Sequence, residues 1–389
     1  VFYEFHQESN FYYLTGFVEP ESVAVIQKVG TADDYIFHLF LRPKDVRAEQ
    51  WEGARSGEQA AMDVFNADVA GDIGQLPTIL SPLIAKASVV YTEQSDPRTT
   101  FSRLFSGKDK AQEGFLGLLK DAKIKPIRSL MNNLRIIKSP AEIAIMRRAG
   151  QISGRAYSHA MRQKWSKEKD LWAFLEYEFK RGGCDGPAYV PVVAGGINAN
   201  SIHYVRNDNI LRSGDMVLVD AGGECGGYIT DITRTWPIDG RFSAAQKDLY
   251  EAVLDVQRRA IKLCRESANI SLDGVHSFTE AGLRQNLTNI GFDLSHGGLS
   301  VLFPHHVGHY VGLDVHDCPG YPRSGVLKTG QCVTVEPGVY VPDDNRFPAH
   351  FRGMGIRIED SVCVQEDTAL VLTTEAVKEV VDIEALRDI

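Results

Sequence analysis

The hydrophobic pattern of the chain changes period about a third of the way along. Before residue 130 short apolar runs are cut by Gly and Pro turns, and residues 23–29 and 35–41 read as strands. From Ser139 onward the pattern is helical. Ser139, Pro140 and Glu142 form an S-x-x-E capping box with proline at the first helical position. Ile143, Met146, Ile152, Ala156 and Ala160 then supply an apolar stripe. A second helix is predicted over residues 170–181, closed by Gly182 and Gly183. A third starts at Ser243, with Gln246 in the capping position, and runs to about Glu266. Its stripe of Leu249, Val253, Val256, Ala260 and Leu263 reads as core. Residues 95–112 are polar, with a helical stretch expected after Ala111. No low-complexity segment or short-period repeat interrupts the chain.

The β-like runs of the second half each carry a metal-ligand type of side chain. Asp220, Asp231, His309, Glu336 and Glu359 stand in VLVDAG, YITDITRT, HHVGHYVGLDVHD, TVEPG and GIRIED. A single Asp in a hairpin is ordinarily a turn or edge residue. Glu336 and Glu359 are different, because they end or interrupt apolar runs, and buried acids are rare unless paired or bound to metal. Nitrogen and sulfur dominate ordinary zinc sites. Four carboxylates with one imidazole instead suit a pair of hard divalent ions such as Mn²⁺. Such a pair holds a hydroxide and polarises a carbonyl or phosphoryl group, which points to a metallohydrolase.

Some geometry follows from spacing. A hairpin centred on residues 224–227 places Asp220 opposite Asp231, on one sheet face with Cβ atoms ~5 Å apart. A one-residue slip would separate them. Arg357 lies two residues before Glu359 and shares its face, so an Arg–Glu ion pair is the plain alternative for Glu359. Five of the eleven histidines lie between His296 and His316. His305 and His309 have i, i+4 spacing, but no Glu follows His305, so this is not an HExxH motif. Gly308 and Gly312 also argue against a helix there. The segment reads as loop and strand, with His309 and His316 contributing separately.

Composition narrows the class. A chain of 389 residues exceeds the ~250–300 at which one core stops growing, so two domains are expected. A net charge of −9 disfavours nucleic acid and anionic membranes as partners. No apolar stretch reaches the ~18 residues of a transmembrane segment. The six cysteines form no CxxC pair and are widely spaced, which fits small buried hydrophobes in a reducing compartment rather than a disulfide framework. The first residue, Val1, reads as mid-domain and carries no sorting information.

On these five segments the chain resembles the pita-bread metallopeptidases, within them the aminopeptidase P and prolidase branch. FHQESNFYYLTGFVEPESVAVI is similar to the start of the aminopeptidase P N-terminal domain, and LRIIKSPAEIAIMRRAG to the join with the catalytic domain. HHVGHYVGLDVHD looks more like the mitochondrial aminopeptidase P and intermediate-cleaving-peptidase subgroup than the bacterial HGxSH pattern. The resemblance implies an α+β pita-bread catalytic domain, residues 134–389, behind a smaller mixed α/β domain, residues 1–130. It also implies roles. Asp231 and Glu359 would bridge two metals, Asp220 would hold one, and His309 and Glu336 the other. Glu336 would also be the base. His203 would contact the substrate and help shuttle protons, and His316 would stabilise the scissile carbonyl or the residue beyond it. His305 would line the pocket beyond the cut bond, and Arg357 would steady the site through a neighbouring carboxylate. The WEGARSG loop, with Trp51 and Arg55, would face the active site or a partner subunit, or simply pack. The implied activity is removal of the N-terminal residue from peptides or proteins. It would be of Xaa-Pro type, or single-residue trimming of imported mitochondrial proteins after presequence removal. The alternatives are a prolidase and a non-catalytic binding protein of the same fold. Two Mn²⁺ ions, a homodimer and a mitochondrial location, with the cytoplasm as alternative, complete the expectation.

Overall fold

The protein is represented by a computed structural model that describes residues 4–31, 33–93, 117, 119 and 122–387. The helix expected after Ala111 lies outside these residues. The chain divides into two compact units, Val1–Met131 and Asn132–Ile389.

The first unit is built on a three-stranded sheet. Val23–Lys28 runs antiparallel to Tyr35–Leu41, which pairs in parallel with Val69–Asp72. Alternation along the central strand explains its burial. Phe37, Leu39 and Leu41 join Phe17, Ala61 and Ala67 in one cluster, while Phe40 meets Leu76 and Leu80 in another. The WEGARSG segment is not wholly a loop, because Trp51 belongs to the helix Val46–Glu52. Trp51 is 85% exposed, so it does not pack within its unit. Arg55 is tied locally, donating to the Pro43 carbonyl and to Glu52.

The second unit pairs helices with antiparallel sheets in an α+β arrangement. The capping box at Ser139 forms as expected and opens the helix Pro140–Arg162. It packs on Glu168–Gly182, whose end at Gly183 adopts a left-handed conformation. A second helix pair is Ala244–Ile261 with Leu272–Asn289. The Ser243 cap also forms, but its helix stops at Ile261, short of Glu266. There the backbone leaves the helix for the Gln365 edge, with Arg265 bridged to Gln365 and the Glu266 N–H donating to its carbonyl.

Two three-stranded antiparallel sheets carry the apolar runs. One is Val192–Gly195, Met216–Asp220 and Thr233–Pro237. The other is Cys332–Val335, Asp360–Val364 and Ala369–Val371. They meet at a backbone bridge, where the Glu359 N–H donates to the Thr233 carbonyl at 3.0 Å. That bridge brings the carboxylate-bearing ends of both sheets together. All six cysteines are buried and free. No helix among the described residues is long and apolar enough to cross a membrane.

The expected pairing of Asp220 with Asp231 is corrected by the hairpin. Gly226 and Gly227, at φ +55° and +79°, form its two-residue turn. Positive φ at both positions is what a two-residue hairpin turn with the right twist requires. The ladder is thereby shifted by two, and Asp220 stands opposite Thr233. A shift of two preserves side-chain parity, so Asp231 stays on the face of Asp220, displaced along the strand. The β-like run that carries Asp231 is broken, into Tyr228–Ile229 and Thr233–Pro237.

Candidate metal centre

Asp220 ends a fully apolar strand, and Asp231 lies in the break between the two short strands. Tyr189 links them: its hydroxyl is 2.6 Å from Asp220 Oδ1 and 2.5 Å from Asp231 Oδ1. Asp220 Oδ2 accepts from Arg357 Nη2 at 2.6 Å. The carboxylate partner of Arg357 is therefore Asp220, not Glu359 as its spacing along the strand suggested. Arg357 Nε instead donates to Thr233 Oγ1, which donates on to Glu359 Oε2 at 2.6 Å. Arg234 holds the Glu359 backbone by donating to its carbonyl, and is itself ion-paired to buried Asp360 at 2.7 Å.

His309 and Glu336 enter from a local antiparallel contact. The Thr334 N–H donates to the His309 carbonyl, and the Glu336 N–H to the Val307 carbonyl. This sets His309 Nε2 3.5 Å from Asp231 Oδ2 and 3.6 Å from Glu336 Oε1. His309 Nδ1 faces the Tyr310 carbonyl at 3.0 Å, which assigns the proton to Nδ1. Its Nε2 then points a lone pair at two carboxylates. Such a geometry calls for a proton or a cation between them.

The remaining expected residues surround this cluster. His316 stacks edge-on to His309, with ring centroids 4.4 Å apart. His203 is exposed, and its charge contributes to lowering the His316 pKa, behind burial and the His309 charge. His305 Nε2 contacts the Tyr340 hydroxyl at 2.9 Å, and Arg357 donates to that same hydroxyl at 2.8 Å. Burial holds the His305 imidazole down at about 4. Hence every expected site residue falls in or beside one cluster. Tyr189, Thr233, Arg234 and Tyr340 were not anticipated. Nothing in their local patterns separates them from ordinary strand and loop residues.

The electrostatics test whether divalent ions fit. Asp231, His309 and Glu359 can each present a ligand atom with all three atoms within 4.8 Å of one another. Glu359 Oε1 is buried with no hydrogen-bond partner among the described residues. An unpartnered buried carboxylate oxygen is a costly group without a cation. Burial, followed by the Asp231 and Glu336 charges, drives the Glu359 carboxyl far above its ordinary range. Burial also raises Glu336 to about 7, against the opposing pull of His309 and Arg357. Burial works against a charged His309, but Asp231 and Glu336 outweigh it and hold the imidazole up at about 9. Burial raises the Asp220 carboxyl as well, whereas Asp231, although burial pushes it up, is held below its ordinary value by His309, Tyr189 and Arg357. Three crowded carboxylates that resist ionising around a fourth that stays charged, with an imidazole that retains its proton, form a donor set suited to hard divalent cations.

Comparison with known proteins agrees with this chemistry. Residues 144–366 match metallopeptidase family M24, and residues 1–91 match the aminopeptidase P N-terminal domain. The chain is 46% identical to Intermediate cleaving peptidase 55 of Saccharomyces cerevisiae, covering 99% of this chain and 77% of that one. It is 38% identical to Xaa-Pro aminopeptidase 3 of Homo sapiens, over the same shares. Icp55 from Saccharomyces cerevisiae bound to apstatin inhibitor superposes with a TM-score of 0.88 at 42% identity, covering 100% of this chain and 91% of that one. Zinc-substituted E. coli aminopeptidase P in complex with product gives 0.90 at 34% identity, covering 99% and 90%. With both domains matched and the carboxylate cluster assembled within the second, the chain belongs to metallopeptidase family M24, as an aminopeptidase P-type enzyme.

Proposed function

We propose that this protein is a dinuclear aminopeptidase in which Asp220, Asp231, His309, Glu336 and Glu359 hold two divalent ions. The observation that carries the reading is the unpartnered, buried Glu359 Oε1 beside Asp231 and His309. Asp231 and Glu359 would be the pair shared by both ions, Asp220 would serve one ion, and His309 with Glu336 would serve the other. Mn²⁺ is the proposed ion, on the strength of a donor set dominated by oxygen.

The enzyme removes the N-terminal residue from peptides or proteins. Two divalent ions held by these residues would lower the pKa of water and polarise the scissile carbonyl. Glu336 would take the proton of the attacking water. His316 donates a hydrogen bond toward the developing oxyanion, and His203 carries a proton to the leaving amine. His305, kept neutral by burial, lines the pocket beyond the cut bond. Arg357 fixes Asp220 and, through Tyr340, the His305 ring.

The biological role we propose is trimming of single residues from imported proteins in mitochondria. Support comes from the 46% identity to Intermediate cleaving peptidase 55 and 37% identity to its Arabidopsis thaliana relative, whose name includes "mitochondrial". Rates on peptides beginning Tyr-Ser or Leu-Ser are compared with rates on Tyr-Pro and Leu-Pro. Cleavage of the Ser peptides supports trimming. Strict dependence on proline would instead make this a general Xaa-Pro aminopeptidase. A homodimer is the proposed assembly, with exposed Trp51 a side chain that a second copy would cover, and sedimentation equilibrium tests it.

A further inference from the structure

We propose that Asp317, gripped by Arg135 and Lys138, is a positioning residue that holds His316 against His309, so that turnover depends on this buried ion network. The proposal deepens the reading of His316 given above and rests on it.

The three charged side chains are almost fully buried, with Arg135 3%, Lys138 4% and Asp317 4% exposed. Lys138 Nζ donates to Asp317 Oδ2 at 2.7 Å, and Arg135 donates to Asp317 Oδ1. Arg135 also reaches Asp314 Oδ2 at 2.6 Å, on the other side of His316. Burial by itself disfavours charge on all three groups. Their mutual attraction outweighs it, raising Arg135 and Lys138 and lowering Asp317. Buried ion groups of this kind can often be replaced by apolar side chains without loss of stability. Stability alone therefore gives no reason for one here, and its location becomes informative.

The His316 ring makes no hydrogen bond among the described residues; its recorded ring contact is with His309. Its position is thus set by the backbone on either side. On one side the Asp317 N–H donates to the Tyr310 carbonyl at 2.8 Å. That carbonyl is the one facing His309 Nδ1, so one oxygen anchors both the His309 ring and the return of the chain after His316. Cys318, next in sequence, is held at φ +50°, a left-handed conformation unusual for a non-glycine residue. It persists only where surroundings determine it, and the Asp317 anchor supplies such a constraint. Gly312 completes the clamp: a Cβ there would lie 2.6 Å from Asp317 Oδ2 and 2.9 Å from Lys138 Cε. The loop backbone therefore packs directly on the ion pair. A misplacement near 1 Å in a reacting group can reduce rate by ~10²-fold, so a loosened anchor has kinetic consequences.

The test is a double-mutant cycle on the full-length, Mn²⁺-loaded protein with an Xaa-Pro peptide as substrate. Lys138→Met is expected to lower kcat roughly tenfold or more, with KM and metal content near wild type. In a His316→Ala background the same replacement is expected to lower kcat no further, because Lys138 acts through His316. Lys138→Arg, which keeps the charge, is expected to recover most of the rate. Asp317→Glu keeps the charge but lengthens the anchor; it should lower kcat alone yet not in the His316→Ala background, and it replaces Lys138→Met if that variant does not fold. An unchanged kcat per folded, metal-loaded chain overturns the proposal. So does an equal loss in both backgrounds, which is the signature of a merely structural role. Wild-type kcat in His316→Ala itself would instead remove the underlying reading of His316, a result distinct from both.

Discussion

Asp220 and Asp231 share one phenol: the Tyr189 hydroxyl lies 2.6 Å from an oxygen of the first and 2.5 Å from an oxygen of the second. A hydroxyl has one proton to donate, so it cannot satisfy two ionised carboxylates at once. Burial raises Asp220 even against the pull of Arg357, with the Asp231 charge adding to the rise. A cation held between two such oxygens would remove the conflict and leave the tyrosine as a brace for the carboxylates. Tyr189→Phe should therefore lower metal affinity or activity by about 10–100-fold, the usual effect of an outer-shell partner. Metal titration and kcat at saturating Mn²⁺ would measure this. A variant indistinguishable from wild type in both would leave Tyr189 no role as a brace.

Metal content provides a more direct check on the ligand assignment. Elemental analysis of the purified protein should find two divalent ions per chain, and a chelator should abolish activity. Asp231→Asn should lose the bridging contact and most activity with the fold intact. Normal metal content together with normal turnover in that variant would rule the assignment out.

His203 and His316 should behave differently from the ligands. Alanine at either is expected to reduce kcat by roughly 10²-fold or more, as loss of a general acid or an oxyanion donor does. Metal content should stay near wild type. If either variant loses metal but keeps its rate per bound metal, that histidine belongs with the ligands instead.

The buried Arg234–Asp360 pair supports Glu359 from behind, and its stability contribution has a definite pH window. Burial pushes the Asp360 carboxyl up, but Arg234 and Lys378 pull it well below the ordinary carboxylate range. A folded-state value below the unfolded ~3.9 stabilises the fold above about pH 4. That contribution is lost as pH falls through the folded value. Asp360→Asn should destabilise by about 3–5 kcal/mol at pH 7, because it leaves a buried guanidinium without its partner. Urea unfolding at pH 7 and at pH 5 should give nearly the same deficit, and a deficit below ~1 kcal/mol would contradict the pairing.

The local elements were legible because their signals are local. The Ser139 and Ser243 capping boxes formed as read, since the groups that satisfy them lie within four residues. The five ligand-type residues could be picked out because carboxylates at the ends of apolar runs conflict with burial unless something compensates them. Spacing does not place them in one cluster, and the symmetric hairpin register differs from the observed one by two residues. The choice of turn at Gly226 and Gly227 decided it, although parity protected the conclusion that Asp220 and Asp231 share a face.

What only the tertiary structure decided are the contacts between segments distant in sequence. Arg357 chose Asp220, 137 positions away, over Glu359 two positions away, because its guanidinium extends across the sheet junction toward Thr233 and Asp220. Tyr189 reaches the two aspartates from an irregular segment whose pattern marks it as nothing special. Lys138 and Asp317 meet across 179 residues. A sequence by itself therefore determined which groups need compensation in this protein. Which partner compensates each depends on where the chain returns in space, and that is set by the packing of the whole unit rather than by any window along it.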